Sequence, residues 1–148
     1  MIQYVLGFAF TPQYDSVLLV EKSKGLHIGM LNGLGGVVKP NEDTKTAMQR
    51  EFVEETGLFI AQDAWKLGAV VRGHLKAWEV RVYHTAIAPP LPLPESEAGT
   101  LALLSVGELH TTDRAYAPHV RALVHTLRDQ HFGGLEHTPL LYLYEERW

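Results

Sequence analysis

Three glutamates, Glu51, Glu54 and Glu55, stand at spacings i, i+3 and i+4 in a stretch that lacks Gly and Pro from residue 43 or 44 to residue 56. At about 100° per residue they fall within an arc of roughly 100° on one helix face. Like charges so spaced repel and weaken a helix. A carboxylate cluster of this kind suits a hard divalent cation, which takes oxygen ligands; a solvated acidic face is the plain alternative. Arg50 directly precedes the cluster and can pair with an acidic residue, and Glu42, eight residues upstream in a turn, is a partner. That pair would pin the neighbouring glycine-dense segment, residues 31–39, which reads as a loop, to the helix. Its backbone carbonyl or amide groups would then lie beside the carboxylates, where they can face a metal-bound phosphate.

Gly36, Glu42, Arg50, Glu51, Phe52, Glu54, Glu55, Gly57 and Leu58 fill every fixed position of G-x5-E-x7-R-E-U-x-E-E-x-G-U, where U is a bulky apolar residue. This pattern resembles the Nudix box. At average composition such a match arises on the order of once in 10⁹ windows. The resemblance covers 23 of 148 residues. It implies an α/β fold, an α/β/α sandwich around a mixed β-sheet, as one domain over residues 1–148. It also implies hydrolysis of a nucleoside diphosphate linked to another moiety, with Mg²⁺ or Mn²⁺. In the family the glutamates matching Glu51, Glu54 and Glu55 hold the metals, and a carbonyl matching Gly35 often joins them. Arg50 would orient its neighbours, and Glu42, with Gly36 and Gly57, would be structural. The general base varies; Glu54 or Glu55 is expected, with Glu97 a candidate carboxylate from outside the box.

The chemistry is consistent with these residue types. A pyrophosphate bridge survives in water because its negative charge repels nucleophiles. Metal ions neutralise that charge, acidify a bound water and align attacking and leaving oxygens. A nearby carboxylate can take the water's proton.

Upstream, Asn32-Gly33-Leu34-Gly35-Gly36 looks like the NGxGG stretch of relatives that cleave nucleoside triphosphates, including oxidised purine nucleotides. There the Asn touches the base, and an amide suits a base edge because it donates and accepts. Gly36 and Lys39 are further substrate-contact candidates. The match loosens elsewhere. Such relatives often carry Lys directly after the box glycine, where this chain has Val37, with Lys39 two residues on. Asn41 stands where a Gly usually precedes the box's first Glu, and it too tolerates positive φ. A Trp and two adjacent Asp precede the last helix in human-type oxidised-purine hydrolases. Registered on Pro118, those positions read His110, Thr112 and Asp113, so Asp113 alone is an acid there.

The rest of the chain must position this box. Its 148 residues, 46% apolar and 20% charged, suit one core. The net charge of −4 argues against a nucleic-acid-binding surface. Without cysteine there is no disulfide, thiolate metal site or cysteine nucleophile. No apolar run approaches the ~20 residues of a membrane helix, and the first residues lack a signal peptide's basic region. A cytoplasmic protein is therefore expected, with no membrane partner. Residues 3–10 and 16–20 read as a hairpin, 65–71 and 75–88 as strands joined at 72–74, and 99–105 as a short strand. Residues 106–109 suit one helical turn. The proline-rich run 89–94 reads as a stiff surface crossover. Val120, Leu123, Val124 and Leu127 mark an amphipathic helix over 118–130, stopped by Gly133-Gly134. Residues 140–144 read as a last strand or a tail lying on the body. Asp43 or Thr44 would cap the box helix and Gly57 would end it. His119, His125 and His131 are six apart, share no helix face and read as surface or edge residues rather than a metal site. Met30 and Trp65 read as core.

The leading expectation is a metal-dependent pyrophosphohydrolase taking a nucleoside triphosphate to the monophosphate and pyrophosphate, monomeric or homodimeric as family members often are. A non-catalytic nucleotide-sensing module is disfavoured by the complete carboxylate face. Cleavage of ADP-ribose or another nucleotide sugar is weakly disfavoured by Asn32, and allylic diphosphate isomerisation by the lack of cysteine.

Overall fold

The computed structural model describes residues 1–73, 75, 77–111, 113–134 and 140–144. Among these residues eight strands form one sheet: β1 Ile2–Phe10, β2 Ser16–Lys22, β3 Leu31–Asn32, β4 Leu34–Val37, β5 Lys66–Gly73, β6 Trp78–Ala86, β7 Gly99–Ser105 and β8 Leu140–Tyr144. The path runs β3-β2-β1-β6-β5-β8, with β4 also on β1 and β7 also on β2. The β1–β6 and β5–β8 pairs are parallel and the others antiparallel, so the sheet is mixed. Helix α1, Thr44–Thr56, covers one face and helix α2, Val120–Gly133, the other. This is the expected α/β/α sandwich with a mixed sheet.

The central strand explains the two layers. In β1, Leu6, Phe8 and Phe10 point into the core under α2, while Val5 and Ala9 point under α1. With both faces buried, the strand is nearly all apolar rather than alternating. The α2 layer receives Val120, Leu123, Val124 and Leu127, the stripe read from the periodicity. The α1 layer receives Ala47, Met48 and Phe52. Phe52 packs edge-on against the buried Trp65, ring centroids 5.3 Å apart. Full burial of such a side chain contributes about 1.5–3 kcal/mol.

Of the two possible caps of α1, Asp43 is the one used: its Oδ1 accepts from the Thr46 N–H at 3.0 Å. Gly57 ends the helix at φ 72°, its N–H donating to the Val53 carbonyl. Helix α2 begins two residues later than expected, because His119 takes φ 69° as its N-cap; Gly134 rather than Gly133 closes it. The β5–β6 turn falls after Gly73 instead of at 72–74, since Arg72 still pairs with Glu79 across the ladder.

Two readings change more. The hairpin is short: β1 and β2 pair only at Ala9↔Leu18 and Phe10↔Val17, because beyond them β1 pairs with β4 and β2 with β3. The glycine-dense segment is largely strand, not loop. Residues 34–37 lie antiparallel on β1, and a Cβ at Gly35 would collide with the Val5 carbonyl. Here the glycines allow close strand packing rather than flexibility. No helix among the described residues is long and apolar enough to cross a membrane.

Candidate active site

The end of β4 and the C-terminal half of α1 meet at Arg50. Its Nε donates to Glu42 Oε1 at 2.7 Å and its Nη2 to Glu42 Oε2 at 2.9 Å. Nη2 also reaches the Val37 carbonyl at 3.1 Å, and Nη1 reaches Glu51 at 2.6 Å and Glu54 at 3.3 Å. One planar guanidinium thus ties the β4–α1 connection to two residues of the carboxylate face, which suits its fixed fork of donors. Glu42 also accepts from the Lys39 N–H at 2.9 Å. The Arg50 guanidinium holds the Glu42 carboxyl down at about 2. Asn41, just before it, sits at φ 64°, as the sequence allowed.

The three box glutamates differ in environment. Glu54 is exposed, its side chain 54% accessible, and Glu51 is nearly covered at 15%. Glu55 is mostly enclosed and accepts from the Gly35 N–H at 3.0 Å. Burial pushes the Glu55 carboxyl up to about 7, and the charges of Glu51 and Glu54 add to this against the Gly35 N–H and Lys22. Gly36 is needed where it stands, because a Cβ there would lie 2.5–2.6 Å from the Glu51 carboxylate. The backbone of β4 is therefore pressed against two of the three carboxylates.

A groove of about 860 Å³ opens beside them. Gly35, Gly36, Glu55 and Lys22 border its polar part. Tyr4, Leu6, Trp78 and Val80 line an apolar part, with Leu26 and His27 from residues 23–30 and Pro118 ahead of α2. Asn32 also faces it; its Oδ1 accepts from the Gly33 N–H at 2.8 Å, which leaves the amide NH₂ to donate. An apolar slot ending in charged groups fits a flat ring that carries phosphates.

The structure thus brings together Asn32, Gly35, Gly36, Glu42, Arg50, Glu51, Glu54, Glu55 and Gly57 along β3, β4 and α1. Lys39, Glu97 and Asp113 are exposed and do not line the groove. Lys39 offers its backbone N–H to Glu42. Glu97 lies in the turn before β7, next to the Ala98 carbonyl that bonds Ser23. Asp113 follows Thr112, which lies outside the described residues, in the connection whose Ala115 and Ala117 bond the Leu31 backbone. Sequence reasoning missed Tyr4, Leu26, Trp78 and Val80. The alternation Tyr4–Leu6 and Trp78–Val80 was visible, but only the parallel register, with Ile2 opposite Trp78 and Tyr4 opposite Val80, sets them side by side.

The donor set fits a hard divalent cation: carboxylate oxygens close to backbone, with a Gly36 cradle that a Cβ would fill. Among the described residues no three such groups already converge as a ready-made cluster. Glu51 spends an oxygen on Arg50 and Glu55 one on Gly35, which holds like charges apart. Burial first and the charges of Glu51 and Glu54 second raise the Glu55 carboxyl, and a cation would relieve both.

A sequence model of the NUDIX domain matches residues 3–126. The chain belongs to the Nudix family, and its hydrolase neighbours agree with that. A NUDIX hydrolase of Nitrosomonas europaea superposes with a TM-score of 0.77 at 14% identity, over 98% of this chain and 79% of that one. The MutT protein of Bacillus halodurans gives 0.74 at 16% identity, over 98% and 90%. A bifunctional NMN adenylyltransferase/ADP ribose pyrophosphatase of Francisella tularensis, solved with AMP and a manganese ion, gives 0.66 at 18% identity, over 86% and 41%. At these identities the likeness is one of fold. None of the curated proteins compared with the sequence matches it.

Proposed function

We propose that this protein is a divalent-metal-dependent pyrophosphohydrolase, taking a nucleoside triphosphate to the monophosphate and pyrophosphate. The observation that carries the reading is the Arg50 clamp, which ties Glu51 and Glu54 to Glu42 and the end of β4, next to Glu55 at the groove's polar end. Glu51, Glu54 and Glu55, with the Gly35 carbonyl, would hold Mg²⁺ or Mn²⁺. The bound metal supplies charge neutralisation at the phosphates and a more acidic water. Glu55, at the groove's polar end, would accept that water's proton. Glu54 is the alternative base, and the exposed Glu97 a third. Arg50 positions Glu51 and Glu54 through its own hydrogen bonds.

The groove supports a nucleotide because its apolar part is bounded by Trp78 and Tyr4, which offer ring faces to a base. Asn32 presents donors there, so it matches a base edge that carries a keto oxygen better than one that carries an amino group. The testing experiment is a screen of phosphate and pyrophosphate release from nucleoside triphosphates, an oxidised purine triphosphate and ADP-ribose, with Mg²⁺ or Mn²⁺ present. Pyrophosphate release from a triphosphate is the expected result. Turnover of ADP-ribose alone would move the assignment to nucleotide-sugar hydrolysis, and no turnover would leave a binding module.

A further inference from the structure

His110 and His125 come from two elements that the proposed reaction does not use. His110 follows the 3-10 turn Val106–Glu108, and His125 sits in the middle of α2. Their Nε2 atoms are 2.8 Å apart, with ring centroids at 4.7 Å and ring planes within 10°. Two imidazole nitrogens cannot face each other at that distance with both lone pairs bare. A proton must lie between them, as one ring's Nε2–H donating to the other ring's lone pair, or a metal cation must take its place. With metal–imidazole bonds of about 2.0–2.1 Å, two nitrogens on one ion lie roughly 2.8–3.4 Å apart at right-angle to tetrahedral geometry. The pair therefore already stands at chelating separation.

We propose that His110 and His125 form a binding site for a nitrogen-seeking transition metal ion of the Zn²⁺ class, separate from the oxygen-rich carboxylate face. Imidazole selects Zn²⁺, Cu²⁺ or Ni²⁺ over Mg²⁺, which keeps oxygen ligands. The segments that carry the two rings are tied together. Arg121, one turn before His125 on α2, donates its Nε to the Leu109 carbonyl at 2.7 Å, and Leu109 is fully buried. His110 is thereby anchored to the helix that carries His125. Arg121 is stacked over the Tyr116 ring, and Arg128 is engaged with the Tyr14 carbonyl and the Phe132 ring, so both cations are committed elsewhere. Exposed Asp129, one turn after His125, is the acidic group nearest it on α2. Among the described residues no third histidine or carboxylate converges on the pair, so water completes the coordination. A metal here would tie the connection before α2 to the helix. That connection bonds Leu31, the neighbour of Asn32 in the groove wall.

The test is calorimetric titration of the full chain with Zn²⁺ at neutral pH, in excess Mg²⁺ to occupy the carboxylate face. Wild type, His110→Ala and His125→Ala are compared, with His110→Asn and His125→Gln as milder variants should an alanine form fail to fold. One zinc equivalent should bind in wild type and weaken by roughly tenfold or more in every variant, since losing even a supporting group costs 10–100-fold in metal affinity. NMR of the histidine ring protons should show zinc shifting His110 and His125 together. Wild-type zinc binding that survives unchanged in both single variants would overturn the site. So would no binding in wild type, which would mean that the two rings share only a proton.

Discussion

Arg50 grips both oxygens of Glu42 at 2.7 and 2.9 Å while its other nitrogen holds Glu51 at 2.6 Å. The β4–α1 connection and the carboxylate face are thus joined through one side chain. Arg50→Ala should leave Glu42 and Glu51 without their charged partner, at a cost of about 2–4 kcal/mol. Arg50→Lys should recover charge but not the fork, and so only part of the loss. Urea melts and kcat should both fall in the order wild type, Lys, Ala, while circular dichroism of the folded form keeps α1. Full activity in Arg50→Ala would remove the positioning role.

Glu54 is exposed and Glu51 is not, so stability and activity separate there. Glu54→Gln should change stability by less than ~0.5 kcal/mol, as a surface substitution does. It should lower kcat more than about tenfold on every substrate if Glu54 is a metal ligand or base. A loss under tenfold would sink both roles.

Glu55 yields a pH dependence of stability in metal-free protein. Its folded-state value of about 7 lies above the ordinary 4.5, so the folded chain holds the proton more tightly. The resulting stabilisation is complete below about 4.5 and is lost as pH rises through about 7, roughly 3 kcal/mol in all. Glu42 acts oppositely: its value near 2 stabilises the fold above about 4.5, and this is lost as pH falls toward 2. Urea melts in chelator between pH 5 and 8 should show stability declining with pH in wild type and a flatter line in Glu55→Gln. Saturating Mg²⁺ should abolish the decline by favouring the ionised carboxylate. Parallel slopes for the two proteins would show that Glu55 is not the group responsible.

Asn32 lines the groove with its amide NH₂ able to donate, while its Oδ1 already accepts from the Gly33 N–H. Asn32→Ala should lower kcat/KM by about two- to a hundredfold, equivalent to ~0.5–3 kcal/mol of lost hydrogen bonding. The loss should be larger for triphosphates whose base carries a keto group than for those with an amino group at the same edge. Asn32→Asp keeps the acceptor for Gly33 and removes the donors, so it should reproduce that ranking. A uniform drop across bases would mean that Asn32 only shapes the β3–β4 junction.

What the sequence alone determined was local. The Asp43 cap lies three residues from the Thr46 N–H it accepts, and Gly57 follows directly on the last turn of α1. The Arg50–Glu42 pairing spans eight residues. The α2 stripe repeats every third or fourth residue along one helix. Such contacts follow from chain geometry over one or two turns, so residue type and spacing suffice to find them. Tertiary structure alone decided the rest. The glycine-dense segment became strand β4 because β1, some thirty residues earlier, had a free edge and the Gly35 position has no Cβ to block the Val5 carbonyl. Trp78 joined Tyr4 in the groove through a parallel pairing across more than seventy residues. His110 met His125 because the buried Leu109 carbonyl is held by Arg121 from the helix. Those meetings depend on which strands and helices find each other, and a partner chosen by burial leaves no fixed spacing in the chain.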